Sequence, residues 1–170
     1  WYQGIKMAMF DVSDFSNPKE MFKIEIGDRG TDSPILTDHK SLLFDKNKNL
    51  LVIPVLEAQL NDEQKKANKE GNTYGDYVYQ GAYVFNIDLD KGFDLRGRVT
   101  HFDDENAFKK SGYYFGTQDF SVKRSLYIEN NLYTISDGKI LINSLDTLDK
   151  INEVDFNLPK LEERPRDIFF

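Results

Sequence analysis

His39 and His101 are the only two histidines in the chain, and no cysteine accompanies them. Thiolate metal sites and disulfide staples are excluded, and a two-histidine metal site would need a third ligand. Each imidazole is expected to bond a turn instead. His39 is followed by Lys40 and Ser41, and a second basic pair, Lys123 and Arg124, precedes Ser125. Aligned on the two serines, Lys40 matches Arg124 and His39 matches Lys123. Positive groups gathered in one place can hold an anion or a partner's carboxylate. The plainer expectation is pairing with neighbouring carboxylates such as Asp38 or Asp119, the more common fate of such groups.

Two further residue types could do chemistry. Asp28, Asp32 and Asp38 share one segment, while Asp103, Asp104 and Glu105 share another. Carboxylate oxygens suit Ca²⁺, yet the spacing matches no EF-hand or related calcium repeat. No cofactor is expected, with Ca²⁺ the one candidate these carboxylates raise. The aromatic set is Tyr74, Tyr77, Phe108, Tyr113, Tyr114, Phe115 and Phe120. Rings such as Tyr113, Tyr114 and Phe115 can anchor a protein or glycan partner, or fold back over a core. Nucleotide-binding glycine motifs, HExxH and GxSxG are all missing. Asp38, His39 and Ser41 make no triad, because neighbours in a strand point to opposite faces.

The elements that must position these residues are strands. Short apolar runs alternate with clusters of Asp, Asn, Gly and Lys, and helical periodicity is weak. Three segments repeat: Gly4-IKMAMFDVSD into PKEMFKIEIG, Gly81-AYVFNIDLD into FDLRGRVTH, and Gly138-KILINSLD into KINEVDF. The later two have matching upstream strands, HKSLLFDKNKNLLVIPV and VKRSLYIENNLYTISD. The unit is four antiparallel strands, A to D, which is a propeller blade; an irregular β-sandwich is the competing reading. LLVIPVL is apolar on both faces, as a strand between neighbouring blades should be. Pro54 within it predicts a bulge or strand end nearby.

The fold expected is all-β: a β-propeller fragment of four-stranded antiparallel blades, about two and a half of them. Residues 1–27 give strands C and D of one blade. Residues 38–101 give a second blade with an insert at 57–77, residues 121–156 a third, and residues 157–170 a tail. The insert is expected to carry a short helix over 62–69 or to stay disordered. Because such a ring needs about four blades to close, the chain is expected to belong to a longer protein or to self-associate.

The phrases FDVSDFSNPKE, DHKSLLF, YQGAYVFNID, LRGRVTH and VKRSLYIENNLYTISDGKI resemble secreted bacterial and archaeal proteins with a C-terminal β-propeller distantly related to WD40 repeats. The resemblance implies an extracellular or cell-surface location and a propeller fold, and it brings no catalytic residues. The WD dipeptide is absent; Phe10-Asp11 and Asn86-Ile87-Asp88 occupy the comparable strand end, where a turn Asp is expected to act as a cap.

Composition narrows the function. A net charge of −7 argues against nucleic acid, since phosphate binding needs surplus Lys and Arg. No apolar run is long enough to span a bilayer. In a propeller the D-to-A and B-to-C connections share one face, and the long ones here all belong to that face. Long structured connections are often functional. The expected function is a non-catalytic binding domain of an exported or surface protein, with His39, Lys40, Lys123, Arg124, Tyr113, Tyr114 and Phe115 as candidate binding residues. The alternative is a hydrolase-type enzyme with a site at the channel mouth, completed by blades outside this chain.

Overall fold

A computed structural model describes residues 1–103 and 118–158. Among the described residues, ten strands form three antiparallel sheets. The first pairs β1 (Ile5–Asp11) with β2 (Lys19–Ile26). The second runs in the order β3 (Leu43–Asp45), β4 (Leu50–Gln59), β5 (Asp76–Asp88), β6 (Gly92–Val99). The third holds β7 (Arg124–Ile128), β8 (Asn131–Ile135), β9 (Lys139–Ser144) and β10 (Lys150–Asp155), again in chain order. Two consecutive four-stranded meanders and one hairpin are the strand content of two blades and a half.

The central sheet is buried on both faces. Alternation along β4 and β5 sends Leu51, Ile53, Val55, Tyr83 and Phe85 to a core shared with Ile5 and Ile26 of the first sheet. The intervening Leu50, Val52, Ala82 and Val84 join Leu132 and Leu141 of the third sheet. A strand with no polar face is stable only between two neighbours, so LLVIPVL places its own sheet in the middle.

Pro54 does not end β4. It pairs with Ala82, and the nearest bulge lies between Glu57 and Ala58. Strand β3 has already stopped at the partner of Val52, and the Pro54 carbonyl accepts a hydrogen bond from Ser33 Oγ on that vacated side. The N–H and C=O of one strand residue point to the same neighbour, so the missing N–H costs no ladder bond.

The connection expected over 57–77 is narrower, because β4 runs to Gln59 and β5 begins at Asp76. Glu57, the first residue of the expected insert, is buried within the sheet. Its carboxylate accepts from Tyr83 Oη at 2.5 Å and from Gln59 Nε2 at 2.8 Å, and Arg98 Nη1 lies 3.4 Å away. A paired and hydrogen-bonded carboxylate can continue a buried strand. In the connection, α1 (Asp62–Ala67) opens with a capping box in which Asn61 and Gln64 bond each other's backbone N–H.

Tight turns close the opposite ends. Asp45 Oδ1 accepts from Asn47 and Lys48 N–H, and Asp88 Oδ1 accepts from Asp90 and Lys91 N–H. Asp11 accepts from Ser13 N–H in the same way, so the turn aspartates act as caps. Gly92 has φ of 78°, and a Cβ there would meet Phe22 Cγ at 2.5 Å. That position brings the D strands of the first two sheets together.

Candidate functional site

Side chains from each D-to-A connection grip strand B of the next sheet. Between the first two sheets, Ala58 N–H donates to Thr31 Oγ1 at 3.0 Å, and Thr31 Oγ1 donates to the Ala58 carbonyl at 3.1 Å. Asp32 and Leu56 form a bridge beside them. Between the second and third sheets, His101 is buried with Nδ1 2.9 Å from Ser136 Oγ and Nε2 2.9 Å from Thr134 Oγ1. Ser136 Oγ donates to the Lys139 carbonyl, so Nδ1–H donates to Ser136 and Nε2 accepts from Thr134. Burial, and then the charge of Lys139, lower the imidazole pKa to about 4. Gln80 adds a second clamp: Nε2 donates to the Val122 carbonyl at 3.1 Å and Oε1 accepts from Val122 N–H at 2.9 Å.

Above these clamps lies a cleft of about 930 Å³. Its lining comes from the start of β1 (Tyr2, Lys6), the 27–42 connection (Asp32, Leu36), the β5 end of the insert (Tyr74) and the segment before β7 (Ser121). The D-to-A and B-to-C connections thus build one concave site on one face. Ser121 Oγ is buried in this lining and makes no hydrogen bond among the described residues.

One wall is aromatic. The Arg29 guanidinium is buried, with its carbon 4.4 Å from the Trp1 ring centroid, 4.4 Å from Tyr74 and 5.4 Å from Tyr2. Its Nη2 donates to Tyr74 Oη at 3.2 Å. Bonds from Arg29 and then from Tyr2 hold the Tyr74 hydroxyl below the usual phenol pKa, and donation to Tyr74 raises that of Tyr2. Rings fixed around a buried cation lose little further freedom on binding. Tyr74 was legible as a loop aromatic, whereas Trp1, Tyr2 and Arg29 were missed. The available signal was Gly27-Asp-Arg-Gly30, an arginine between two glycines, where the chain turns sharply. Both glycines have positive φ.

The basic candidates separate into two places. Asp38 caps a 3-10 turn, His39–Ser41, by accepting from Lys40 N–H at 2.9 Å. It also accepts from Arg124 Nη2 at 3.1 Å, and these contacts, the Lys40 bond first, keep its carboxyl below the usual range. His39, Lys40 and Arg124 therefore gather around one carboxylate, with both Lys40 and His39 exposed. Lys123 pairs with Asp137 and lines the cleft. Both pairs are open to solvent, where such pairs contribute little. Arg124→Ala should leave the thermal midpoint within measurement error, as a melting curve would show.

Both histidines lie in D-to-A connections, but in different settings: His39 is in an exposed turn before β3, and His101 is buried two residues beyond β6. Asp28 Oδ2 accepts from Leu60 N–H, Asp32 Oδ1 accepts from Ser33 N–H, and Asp103 pairs with Lys139 Nζ. Among the described residues, no three His, Cys, Asp or Glu side chains gather as a metal site. Phe108, Tyr113, Tyr114, Phe115, Asp104 and Glu105 lie outside the described residues. No helix among the described residues is long and apolar enough to cross a membrane.

The family model described as a β-propeller domain matches residues 1–148. No curated protein and no solved structure matches the chain.

Proposed function

Since the chain belongs to the β-propeller domain family, we propose that it is a non-catalytic binding domain that takes its partner in the cleft on the long-connection face. The observation that carries this reading is the cleft itself. Its volume is that of a ligand site, and its floor is held by buried hydrogen-bonded clamps rather than by free loops. The resemblance of its sequence phrases to secreted bacterial and archaeal propeller proteins supports an exported or cell-surface setting as part of this proposal. Within this reading, His39, Lys40 and Arg124 form a polar flank, and Lys123 contributes to the cleft lining.

Blocking the cleft tests the reading. Leu36 is exposed in its lining beside Thr37, so Leu36→Arg with Thr37→Arg adds bulk without opening a core. The immobilised double variant should retain at least about tenfold less cell-envelope material than the unmodified protein, the loss expected when a central contact patch is blocked. Lys46→Glu, in the tight turn between β3 and β4, should retain as much as the unmodified protein. Equal capture by the cleft variant would sink the proposal.

A further inference from the structure

We infer that the cleft takes an uncharged saccharide, stacked on the Tyr2 and Tyr74 rings and hydrogen-bonded by Asp32 and Ser121. This inference rests on the binding reading above and names its ligand class. Tyr2 and Tyr74 line the cleft with 61% and 55% of their surface exposed. The buried Arg29 guanidinium stacks over both rings and secures the Tyr74 hydroxyl, so exposed ring surface is presented on a fixed support. A pyranose has one apolar C–H face and an edge of hydroxyls, and needs a rigid ring on one side and small polar groups on the other.

The polar groups are present. Ser121 Oγ is buried in the lining without a hydrogen bond among the described residues, and an unmet buried hydroxyl favours a ligand that can complete it. Asp32 is exposed there and can accept from ligand hydroxyls. The charge pattern disfavours anions. The lysines of the lining pair with Glu20 and Asp137, and the Asp32 and Asp119 carboxylates outnumber the Arg29 cation behind the rings, so the field over the cleft is acidic on balance. Sialylated or sulfated sugars are therefore disfavoured, while neutral ones meet no repulsion.

The test is an array of neutral cello-, chito-, malto- and manno-oligosaccharides, with sialylated and sulfated glycans and an oligolysine peptide alongside. At least one neutral series should bind and the anionic glycans should not. For that series, Tyr74→Ala and Tyr2→Ala should each weaken binding about tenfold, while Tyr74→Phe, which keeps the ring, should stay within about threefold. Ser121→Ala should cost a smaller, several-fold loss. Circular dichroism melts confirm that each variant is folded. Failure of every neutral glycan to bind, or undiminished binding by folded Tyr74→Ala, overturns the inference. Oligolysine bound in the cleft and lost in the Leu36→Arg, Thr37→Arg variant overturns the saccharide and leaves the binding reading standing. Envelope capture that survives that variant overturns the binding reading itself.

Discussion

Urea denaturation should become easier as the pH falls from 7 to 5, and His101→Gln should remove most of that change. The imidazole titrates at about 4 in the folded protein, against 6.5 as its ordinary value. Its folded pKa is depressed, so the unfolded chain takes up the proton first. Stability is full above about 6.5, falls with pH below that, and is fully lost for this group near 4. The interval corresponds to about 3 kcal/mol, with about 2 kcal/mol gone by pH 5. The geometry explains the reluctance to protonate. Nδ1–H already donates to Ser136, and Nε2 accepts from Thr134, so a second proton would meet a hydroxyl that is itself donating. The charged groups acting on the ring are the buried Lys139, which opposes protonation, and the exposed carboxylates of Asp103 and Glu153, which favour it. Carboxylates titrate mainly below pH 5, which leaves the range from 6.5 to 5 to histidine. Equal loss in the unmodified protein and in His101→Gln over that range would rule this account out.

The same residue marks the boundary of what sequence could reveal. Strand alternation, the two-sided apolarity of LLVIPVL and the Asp-bearing turns are local patterns, and the structure reproduces them in β4, β5 and their caps. The roles of the histidines depend on contacts between sheets. His101 bonds Thr134 and Ser136, more than thirty residues away, whereas His39 stays in an exposed turn. Gln80 clamps Val122 across 42 residues, and Arg29 meets Tyr74 across 45. No spacing rule encodes such pairs. Arg124 went the plain way, to the carboxylate of Asp38, because an exposed cation takes the nearest anion. Glu57 looked like a strand end since a lone carboxylate is costly in a core. Its partners Tyr83 and Arg98 arrive only through pairing with β5 and β6.

Phe85→Ala should be the most damaging core substitution. The ring is fully buried in β5, stacks on Tyr83 with centroids 6.1 Å apart, and fills the core between the first two sheets. Truncation to Ala in such a site costs about 3–5 kcal/mol, the transfer term plus the cavity left behind. The damage should be uneven. A two-stranded hairpin is marginal in water, so β1 and β2 depend on the face that Phe85 helps provide. Amide exchange at Met7 and Ile24 should accelerate more than at Leu132 and Leu141 in the third sheet, which draws on the other core. Leu132→Ala, at about 2–5 kcal/mol, should reverse that pattern. Uniform acceleration in both variants would mean that the sheets open together and the two cores do not act separately. The hairpin also carries Tyr2 and Lys6 into the cleft, so a loosened β1 withdraws one wall of the binding face. Phe85→Ala should therefore weaken ligand retention even where the protein remains folded, because the core behind the first sheet is what holds the Tyr2 ring in place.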